Sequence, residues 1–315
     1  MKRPQSATCS AKSHGIPGNV RGTHPERALE QTLRRGEALA AGERILIACS
    51  GGPDSVGLAA ALAALASSMQ WTLVAGHVNH GVRASAWQDE AVVLAAGAAL
   101  GIPVKVAAPH VQAKSEAALR EARYGALADL AAACGAGVIA TAHTAEDQTE
   151  TVLLSLFRGA GPAGIAGMPV RRALAPGVDL ARPLLREERA VLRAYVDAAG
   201  LPYAIDPTNS NLELRRNAVR QALAGLRPLF PRLDAAVARA AQVVADEGAG
   251  TSRASLRRKI RDELERQDAL RSVDFEHVEA AVAALERGGS GLFHMARGVE
   301  LKIEGGRLDV LRRRP

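Results

Sequence analysis

Residues 44–55 read RILIACSGGPDS, and this stretch decides the fold. Its first half is a short apolar run that predicts a buried strand, and the run VGLAAALAALASS that begins at Val56 predicts a helix. A glycine-rich turn between a strand and a helix presents backbone N–H groups to an anion. The stretch therefore predicts a phosphate-binding loop at the carboxyl end of a strand.

The same alternation continues on the C-terminal side of this loop. The runs WTLVAGHVN, PVKVAA and VIATAH are typical of strands, and EAALREARYGALADLAAAC is typical of a helix. Strands that alternate with helices predict an α/β fold, a doubly wound and mostly parallel sheet of Rossmann-like type. In such a sheet, ligands bind beyond the carboxyl ends of the strands.

The chain divides into three segments by composition. We expect residues 1–24 to be a flexible tail, since they contain no apolar run, and residues 25–227 to form the α/β domain. Past Pro228 and Pro231 the sequence changes to Ala- and Arg-rich helical runs, followed by β-like runs around GLFHM, VELKI and RLDVL. Residues 228–315 are therefore predicted to be a smaller, mainly helical domain with a β tail.

Composition limits the partners and the compartment. The net charge of +7 favours a phosphate-rich partner. The three cysteines form no Cys-x-x-Cys pair, which disfavours a zinc knuckle or a disulfide framework and fits a reducing cytoplasm. The longest apolar run, Val56 to Ala66, is too short to span a bilayer, so no membrane association is expected. A homodimer stays an open alternative to a monomer.

The loop lacks the Gly-Lys-Ser/Thr ending of a Walker A motif. In its strand-to-helix setting SGGPDS resembles the PP-loop of the N-type ATP pyrophosphatases, which implies ATP as a cofactor. Asp54 would repel phosphate unless a cation lies beside it, so we expect Mg²⁺ or an ammonium group there. The resemblance implies that the loop binds ATP through Ser50, Gly51, Gly52, Pro53, Asp54 and Ser55.

Four further segments narrow the resemblance. They are HVNHGVR from His77, LREARY with Arg120 and Arg123, HTAEDQTET from His143, and DPTN from Asp206 followed by the RRNAVR helix. In order and spacing, these segments and SGGPDS resemble the tRNA(Ile)-lysidine synthase family over residues 44–226.

The resemblance implies a two-step ligation on tRNA(Ile) with a CAU anticodon. ATP adenylates the oxygen at carbon 2 of the wobble cytidine and releases pyrophosphate. The side-chain amine of free L-lysine then replaces AMP and forms lysidine. An amine must be neutral to attack, although the reference pKa of lysine is about 10.4, so a carboxylate is expected nearby as proton acceptor.

Two carboxylates lie three residues apart on the helix after Thr144. Asp147 and Glu150 share one face, and Glu150 or Asp54 could orient the amine and accept its proton. Thr144 and Asp147 also match a capping box, which we expect to form as well. His143 is assigned to the phosphates or the activated cytidine, with a hydrogen-bonded structural imidazole as the alternative.

Basic side chains complete the prediction. His77 and His80 are three residues apart on a strand, a spacing that disfavours a metal pair, so His77 is assigned to support of the ATP pocket. By matching motifs, Arg123 and Arg216 are placed in catalysis. Contacts with tRNA are assigned to Arg83, Arg120, Arg182, Asn217 and Arg220.

Other functions remain as alternatives. A tRNA-thiolating PP-loop enzyme would accept sulfur, and the lack of a Cys-x-x-Cys pair argues against it. Relatives that use ammonia need a nucleophilic cysteine in a glutaminase, and Cys9, Cys49 and Cys134 have no such setting. An inactive tRNA-binding module is the alternative from another class, and the intact loop and acidic residues disfavour it.

Overall fold

The computed structural model describes residues 24–36, 38–79, 86–109, 116–204, 215–250, 252–267, 273, 275–287, 291–294, 299–304 and 307–312. The N-terminal region runs α1 (His24–Arg35), β1 (Arg44–Ala48), α2 (Pro53–Met69), β2 (Thr72–Val78), α3 (Ala86–Leu100), β3 (Val104–Ala107), α4 (Glu116–Cys134) and β4 (Val138–Ala140). It continues with α5 (Ala145–Leu156), α6 (Pro162–Ile165), β5 (Arg171–Ala175), β6 (Val178–Ala181), α7 (Arg189–Ala198) and α8 (Arg215–Leu226). The C-terminal region has α9 (Leu233–Ala249), α10 (Ser252–Arg266), α11 (Phe275–Glu286), β7 (Gly291–His294), β8 (Val299–Glu304) and β9 (Arg307–Arg312).

The predicted parallel sheet is confirmed. Its six strands lie in the order β3-β2-β1-β4-β6-β5, and only the edge strand β5 is antiparallel to its neighbour. The chain goes from β1 outward to β2 and β3, then returns to the other side of β1 with β4. This reversal creates a crevice between the carboxyl ends of β1 and β4, the position where such sheets bind ligands.

Alternate residues of β1 enter two different hydrophobic cores. Ile45 and Ile47 pack with α1, α2 and α7 on one face of the sheet, whereas Leu46 packs with α4 on the other. All three side chains are fully buried, as expected for a central parallel strand covered by helices on both faces. The prediction of a doubly wound sheet is therefore correct in its layers as well as its strand direction.

The C-terminal region has a separate core. Helices α10 and α11 pack on the antiparallel sheet β7-β8-β9 around Ile260, Val282 and Leu301. The three β-like runs of the sequence form these three strands, as predicted. Helix α9 connects the regions, because it packs against α5 and α6 as well as α10. No helix among the described residues is both long and apolar enough to cross a membrane.

Arginine–carboxylate pairs join the three C-terminal helices. Arg257 of α10 is almost fully buried and bonds both Glu279 of α11 and, at 2.6 Å, Asp246 of α9. Arg253 adds a 2.7 Å hydrogen bond to Glu279, and Gln242 donates to the second oxygen of Asp246 at 2.7 Å. Every carboxylate oxygen of Asp246 and Glu279 therefore accepts a hydrogen bond, and we call this group the C-terminal ion cluster.

Candidate active site

The predicted phosphate loop lies between β1 and α2, at the carboxyl end of the central strand. Its serines bond within the loop: the Ser55 hydroxyl donates to the Gly52 carbonyl at 2.9 Å and accepts from the Ser50 amide at 3.2 Å. Pro53 occupies the first turn of α2, where a missing N–H costs no hydrogen bond. The loop is thus preformed at a helix N-terminus, the end that attracts anions.

Gly51 is the one loop position that requires glycine. Its φ of +88° lies in the left-handed region, and an added Cβ would be 3.1 Å from the carbonyl oxygen of Asp89 in α3. The Gly51 carbonyl also accepts a hydrogen bond from the Ala204 amide at 2.8 Å. The loop therefore fits closely between α3 and the segment that follows α7.

His77 is buried at the end of β2, next to the loop. Its Nδ1 lies 2.9 Å from the Cys49 carbonyl oxygen, and because a carbonyl only accepts, Nδ1 carries the proton. Through this hydrogen bond the imidazole supports the residue that precedes the loop. His80 and Arg83 of the same motif lie outside the described residues.

Asp54, in the first turn of α2, forms an ion pair with Arg189 at the start of α7. The distance from Asp54 Oδ2 to Arg189 Nε is 2.8 Å, and Arg189 also reaches Asp147 Oδ1 at 3.1 Å. Oδ1 of Asp54 is buried and accepts no hydrogen bond from the described residues. An unsatisfied buried carboxylate oxygen costs free energy, so this atom suits a cation ligand.

The two carboxylates that share Arg189 differ in pKa. Burial raises the pKa of Asp54 above its ordinary value, and Arg189 offsets only part of this effect. Burial also acts on Asp147, but Arg189 and the Thr144 amide together lower its pKa. Although burial lowers the pKa of the Arg189 guanidinium, Asp147 and Asp54 raise it overall. Asp54 is therefore the more basic of the two carboxylates.

Arg189 was not predicted as a site residue. One indirect signal was the expectation that a cation must lie beside Asp54, and Arg189 provides a cation there. It is separated from Asp54 by 135 residues and belongs to no recognised motif, so no spacing rule connects the pair. Only the packing of α7 against α2 brings the two together.

Glu150, on α5, is fully buried between two arginines of α8. Arg220 Nε lies 2.7 Å from Oε1, and Arg216 Nε lies 3.2 Å from Oε2. Arg216 also donates to the Thr151 hydroxyl at 2.8 Å. The structure therefore brings the predicted residues Glu150, Arg216 and Arg220 together, with both oxygens of Glu150 engaged.

His143 lies between these two groups, just after β4. Its Nδ1 is 2.8 Å from the Thr141 hydroxyl. Burial lowers its pKa to about 4, opposed by Asp147 and aided by Arg182, Arg120 and Arg216. The imidazole is therefore neutral at physiological pH.

The capping box at the start of α5 is confirmed. Asp147 Oδ2 accepts from the Thr144 amide at 3.0 Å, and the reciprocal bond, from the Asp147 amide to the Thr144 side chain, is also present. Glu146 accepts from the backbone amide of Arg189 with both oxygens, at 2.9 and 3.1 Å. The first turn of α5 thus fixes its own end and the first residue of α7.

The remaining predicted site residues fall into two groups. Arg120 and Arg123 of α4 are exposed, and Arg120 lies over the Tyr124 ring, 5.0 Å from its centroid. Arg182 is only 3% exposed and donates to the Pro169 carbonyl, and Asn217 is 9% exposed. As placed, the first pair can contact a bound polymer directly, whereas Arg182 and Asn217 are surrounded by protein.

Comparisons with known proteins agree with this fold. Residues 23–226 match the PP-loop domain. Among solved structures, a U34-tRNA thiolase from Methanococcus maripaludis aligns with a TM-score of 0.58 at 17% identity, covering 69% of this chain and 76% of that one. At this identity the likeness concerns the fold. The fold, the loop and the domain match together define a PP-loop protein, and this class implies ATP binding.

Curated relatives narrow the class. A tRNA(Ile)-lysidine synthase from Salinispora tropica is 42% identical over 220 residues, which are 66% of this chain and 66% of that protein. One from Salinispora arenicola is 41% identical over 232 residues, 71% of this chain and 69% of that protein. One from Ralstonia nicotianae is 41% identical over 211 residues, but the match covers only 45% of that protein. The chain belongs to the tRNA(Ile)-lysidine synthase family.

Proposed function

We propose that the protein uses ATP to join free L-lysine to carbon 2 of the wobble cytidine in tRNA(Ile) with a CAU anticodon. The cytidine oxygen attacks the α-phosphorus of ATP and pyrophosphate leaves. The lysine ε-amine then attacks carbon 2, AMP departs with the oxygen, and the amine loses a proton. The observation that carries this proposal is the Asp54 carboxylate, which lies at the phosphate loop with one unsatisfied oxygen, in a chain of this family.

The loop residues fit the pyrophosphate portion of ATP. Ser50, Gly51, Gly52 and Ser55 would bind it at the N-terminus of α2, with His77 behind the loop. Asp54 Oδ1 would hold Mg²⁺, which usually takes one or two carboxylates and completes its coordination with phosphate oxygens and water. Mg²⁺ bound there would neutralise negative charge on the phosphates.

The proton of the attacking amine requires an acceptor, and the hydrogen bonds rank the carboxylates. Both oxygens of Glu150 are engaged by Arg216 and Arg220, and both oxygens of Asp147 are engaged by Thr144 and Arg189. Asp54 has the free oxygen and the raised pKa. We therefore propose that Asp54 binds the cation while ATP is bound and, ahead of Glu150, accepts the amine proton after Mg²⁺ has left with pyrophosphate. Glu150 would position Arg216 and Arg220.

The charged groups around His143 suit the transfer of an adenylyl group. Arg216 would stabilise negative charge on the adenylate, because a guanidinium stays protonated and donates in a fork. Neutral His143 can accept a hydrogen bond at one ring nitrogen and donate at the other. We propose that Arg123 completes this catalytic set from α4.

We further propose that residues 25–227 carry the chemistry and residues 228–315 help to hold the tRNA. Arg120, and with it Arg83 outside the described residues, would contact RNA phosphates, and Arg220 would do so through its exposed edge. Arg182 and Asn217 would act from beneath this surface, since both are buried. The contact of α9 with α5 connects the tRNA-holding region to the helix of the catalytic carboxylates.

The test is transfer of labelled lysine to RNA. The protein is incubated with ATP, Mg²⁺, radiolabelled lysine and unmodified tRNA(Ile) bearing CAU, with tRNA(Met) as the control. Label retained only on the isoleucine tRNA supports the proposal. Pyrophosphate release without lysine transfer would contradict it and leave another nucleophile, sulfur included, to be sought. No pyrophosphate release at all would favour an inactive tRNA-binding module.

A further inference from the structure

Arg189 joins three helices at the candidate site. Its Nε bonds Asp54 of α2 at 2.8 Å, its terminal nitrogen bonds Asp147 of α5 at 3.1 Å, and its own backbone amide is held by both oxygens of Glu146. The residue is therefore fixed at its backbone and at its side chain. Among the described residues that bond Asp54, Arg189 supplies the only ion pair.

Close packing one turn further along both helices keeps Arg189 in reach of Asp54. An added Cβ on Gly57 of α2 would lie 3.1 Å from the carbonyl oxygen of Leu192 and 3.3 Å from its Cβ. Gly57 follows Asp54 by one turn, and Leu192 follows Arg189 by one turn. The missing side chain at position 57 thus lets the first turns of α2 and α7 approach.

The consequence for Asp54 is a fixed carboxylate with two different oxygens. Oδ2 is occupied by Arg189, whereas Oδ1 is buried with no partner among the described residues. A carboxylate that rotated freely could present either oxygen, or chelate a cation with both. The guanidinium fork, itself held by Asp147, restricts that rotation.

We propose that Arg189 is a positioning residue for the ATP-dependent step: it holds Asp54 so that Oδ1 alone ligates the Mg²⁺ bound with ATP. This inference rests on the proposed function. It makes Arg189 a partner of the metal site through Asp54, without contact between Arg189 and the reacting atoms. The alternative is that Arg189 only takes the place of the cation and competes with Mg²⁺ for Asp54.

Nucleotide binding without catalysis separates these roles. The probe is an ATP analogue with a methylene bridge between its α- and β-phosphates, and its affinity is measured by calorimetry in EDTA and in saturating Mg²⁺. For Arg189→Gln we expect a weaker affinity in EDTA, because Asp54 then lies beside the phosphates without a cation. The gain on adding Mg²⁺ should be about 10- to 100-fold smaller than in the wild type. Arg189→Lys keeps the charge but not the fork, and should restore part of the gain.

Arg193→Gln is the matched control, because Arg193 lies one turn further along α7 and pairs with Asp197 at the surface. It should behave as wild type. In a double-mutant cycle, Asp54→Asn with Arg189→Gln should bind no more weakly than Asp54→Asn alone, since Arg189 acts through Asp54. Additive losses, a Mg²⁺ gain in Arg189→Gln equal to that of Arg193→Gln, or tighter Mg²⁺-dependent binding would each overturn the inference. These outcomes leave the proposed function standing, because lysine transfer by the wild type is scored separately.

Discussion

Two clusters of arginines and carboxylates hold helices together in this protein, and they differ in one atom. In the C-terminal ion cluster, Arg257 bridges α9 and α11, and every oxygen of Asp246 and Glu279 accepts a hydrogen bond. In the candidate site, Arg189 bridges α2 and α5, but Asp54 Oδ1 has no hydrogen-bond partner in the part of the chain that the structure describes. Where every carboxylate oxygen has a hydrogen bond, the cluster holds helices together. Where one oxygen has none, the cluster can also bind a ligand.

The largest effect is expected for a substitution in the C-terminal ion cluster, where every carboxylate oxygen has a partner. Arg257→Ala leaves the half-buried carboxylates of Asp246 and Glu279 without their shared cation and should lower the free energy of unfolding by about 2–4 kcal/mol. Arg258→Ala is the control, since Arg258 is exposed and its pair with Glu247 at the surface should contribute little to stability. Urea unfolding of both variants gives the comparison. Equal losses would show that the C-terminal ion cluster does not hold these helices.

A substitution at Asp54, in the candidate site, should change activity more than stability. Asp54→Asn keeps the size of the side chain but removes the charge that would hold Mg²⁺, and should lower lysine transfer by about 100-fold or more. Asp197→Asn, at an exposed carboxylate paired with Arg193, is the matched control and should transfer lysine normally. If Asp54→Asn kept wild-type transfer, the contrast between the clusters would fail.

The packing of α2 against α7 can be tested at Gly57. Gly57→Ala places a methyl group against Leu192, which should cost about 1–3 kcal/mol of stability by overpacking and separate Arg189 from Asp54. We expect transfer to fall along with the thermal midpoint. Gly125→Ala in α4 has open space at its Cβ and should instead be neutral or slightly stabilising. A fully active Gly57→Ala would mean that the ion pair tolerates a wider spacing.

The smallest expected effect is a dependence of stability on pH. The pKa of His143 is about 4 in the folded protein and about 6.5 when unfolded, so the unfolded chain binds more protons between these values. Its contribution is therefore fully present above pH 6.5 and is lost as the pH falls toward 4, on the order of 2 kcal/mol by pH 5. His143→Gln should flatten this slope in urea unfolding at pH 7 and pH 5. Asp147, whose pKa is lowered, should keep a residual slope at the acid end.

Much of the fold could be predicted because its signals are local. The run RILIAC before SGGPDS identifies β1, the loop and α2, and the capping box at Thr144 needs only residues three positions apart. Neither strand of the edge hairpin, β5 and β6, was predicted, since β5 begins with two arginines and both strands are short. The four-residue helix α6 lies within a stretch that reads as a loop, GAGPAGIAGMP. Helix α1 was not identified either.

The sequence predicts many of the residues in the site, but it does not predict which arginine pairs with which carboxylate. The motifs contain Asp54, Asp147, Glu150 and Arg216, because these lie next to strand ends or on one helical face. Which arginine pairs with which carboxylate depends on contacts between helices far apart in sequence, as with Arg216 and Glu150, 66 residues apart. Charge alone also does not reveal burial, so Arg182 reads as a surface residue in the sequence and is enclosed by protein in the fold.

Helix α5 should differ from an ordinary surface helix in its tolerance to substitution. An ordinary surface helix tolerates substitutions on one side, and its tolerance rises and falls every 3.6 residues. From Ala145 to Val152 no residue of α5 is exposed, and its polar side chains bond α7, α8 and Met168, which lies three residues before β5. A scan of all substitutions through this stretch should therefore show uniform intolerance without helical periodicity, and the stretch could be exchanged between relatives only together with its neighbours.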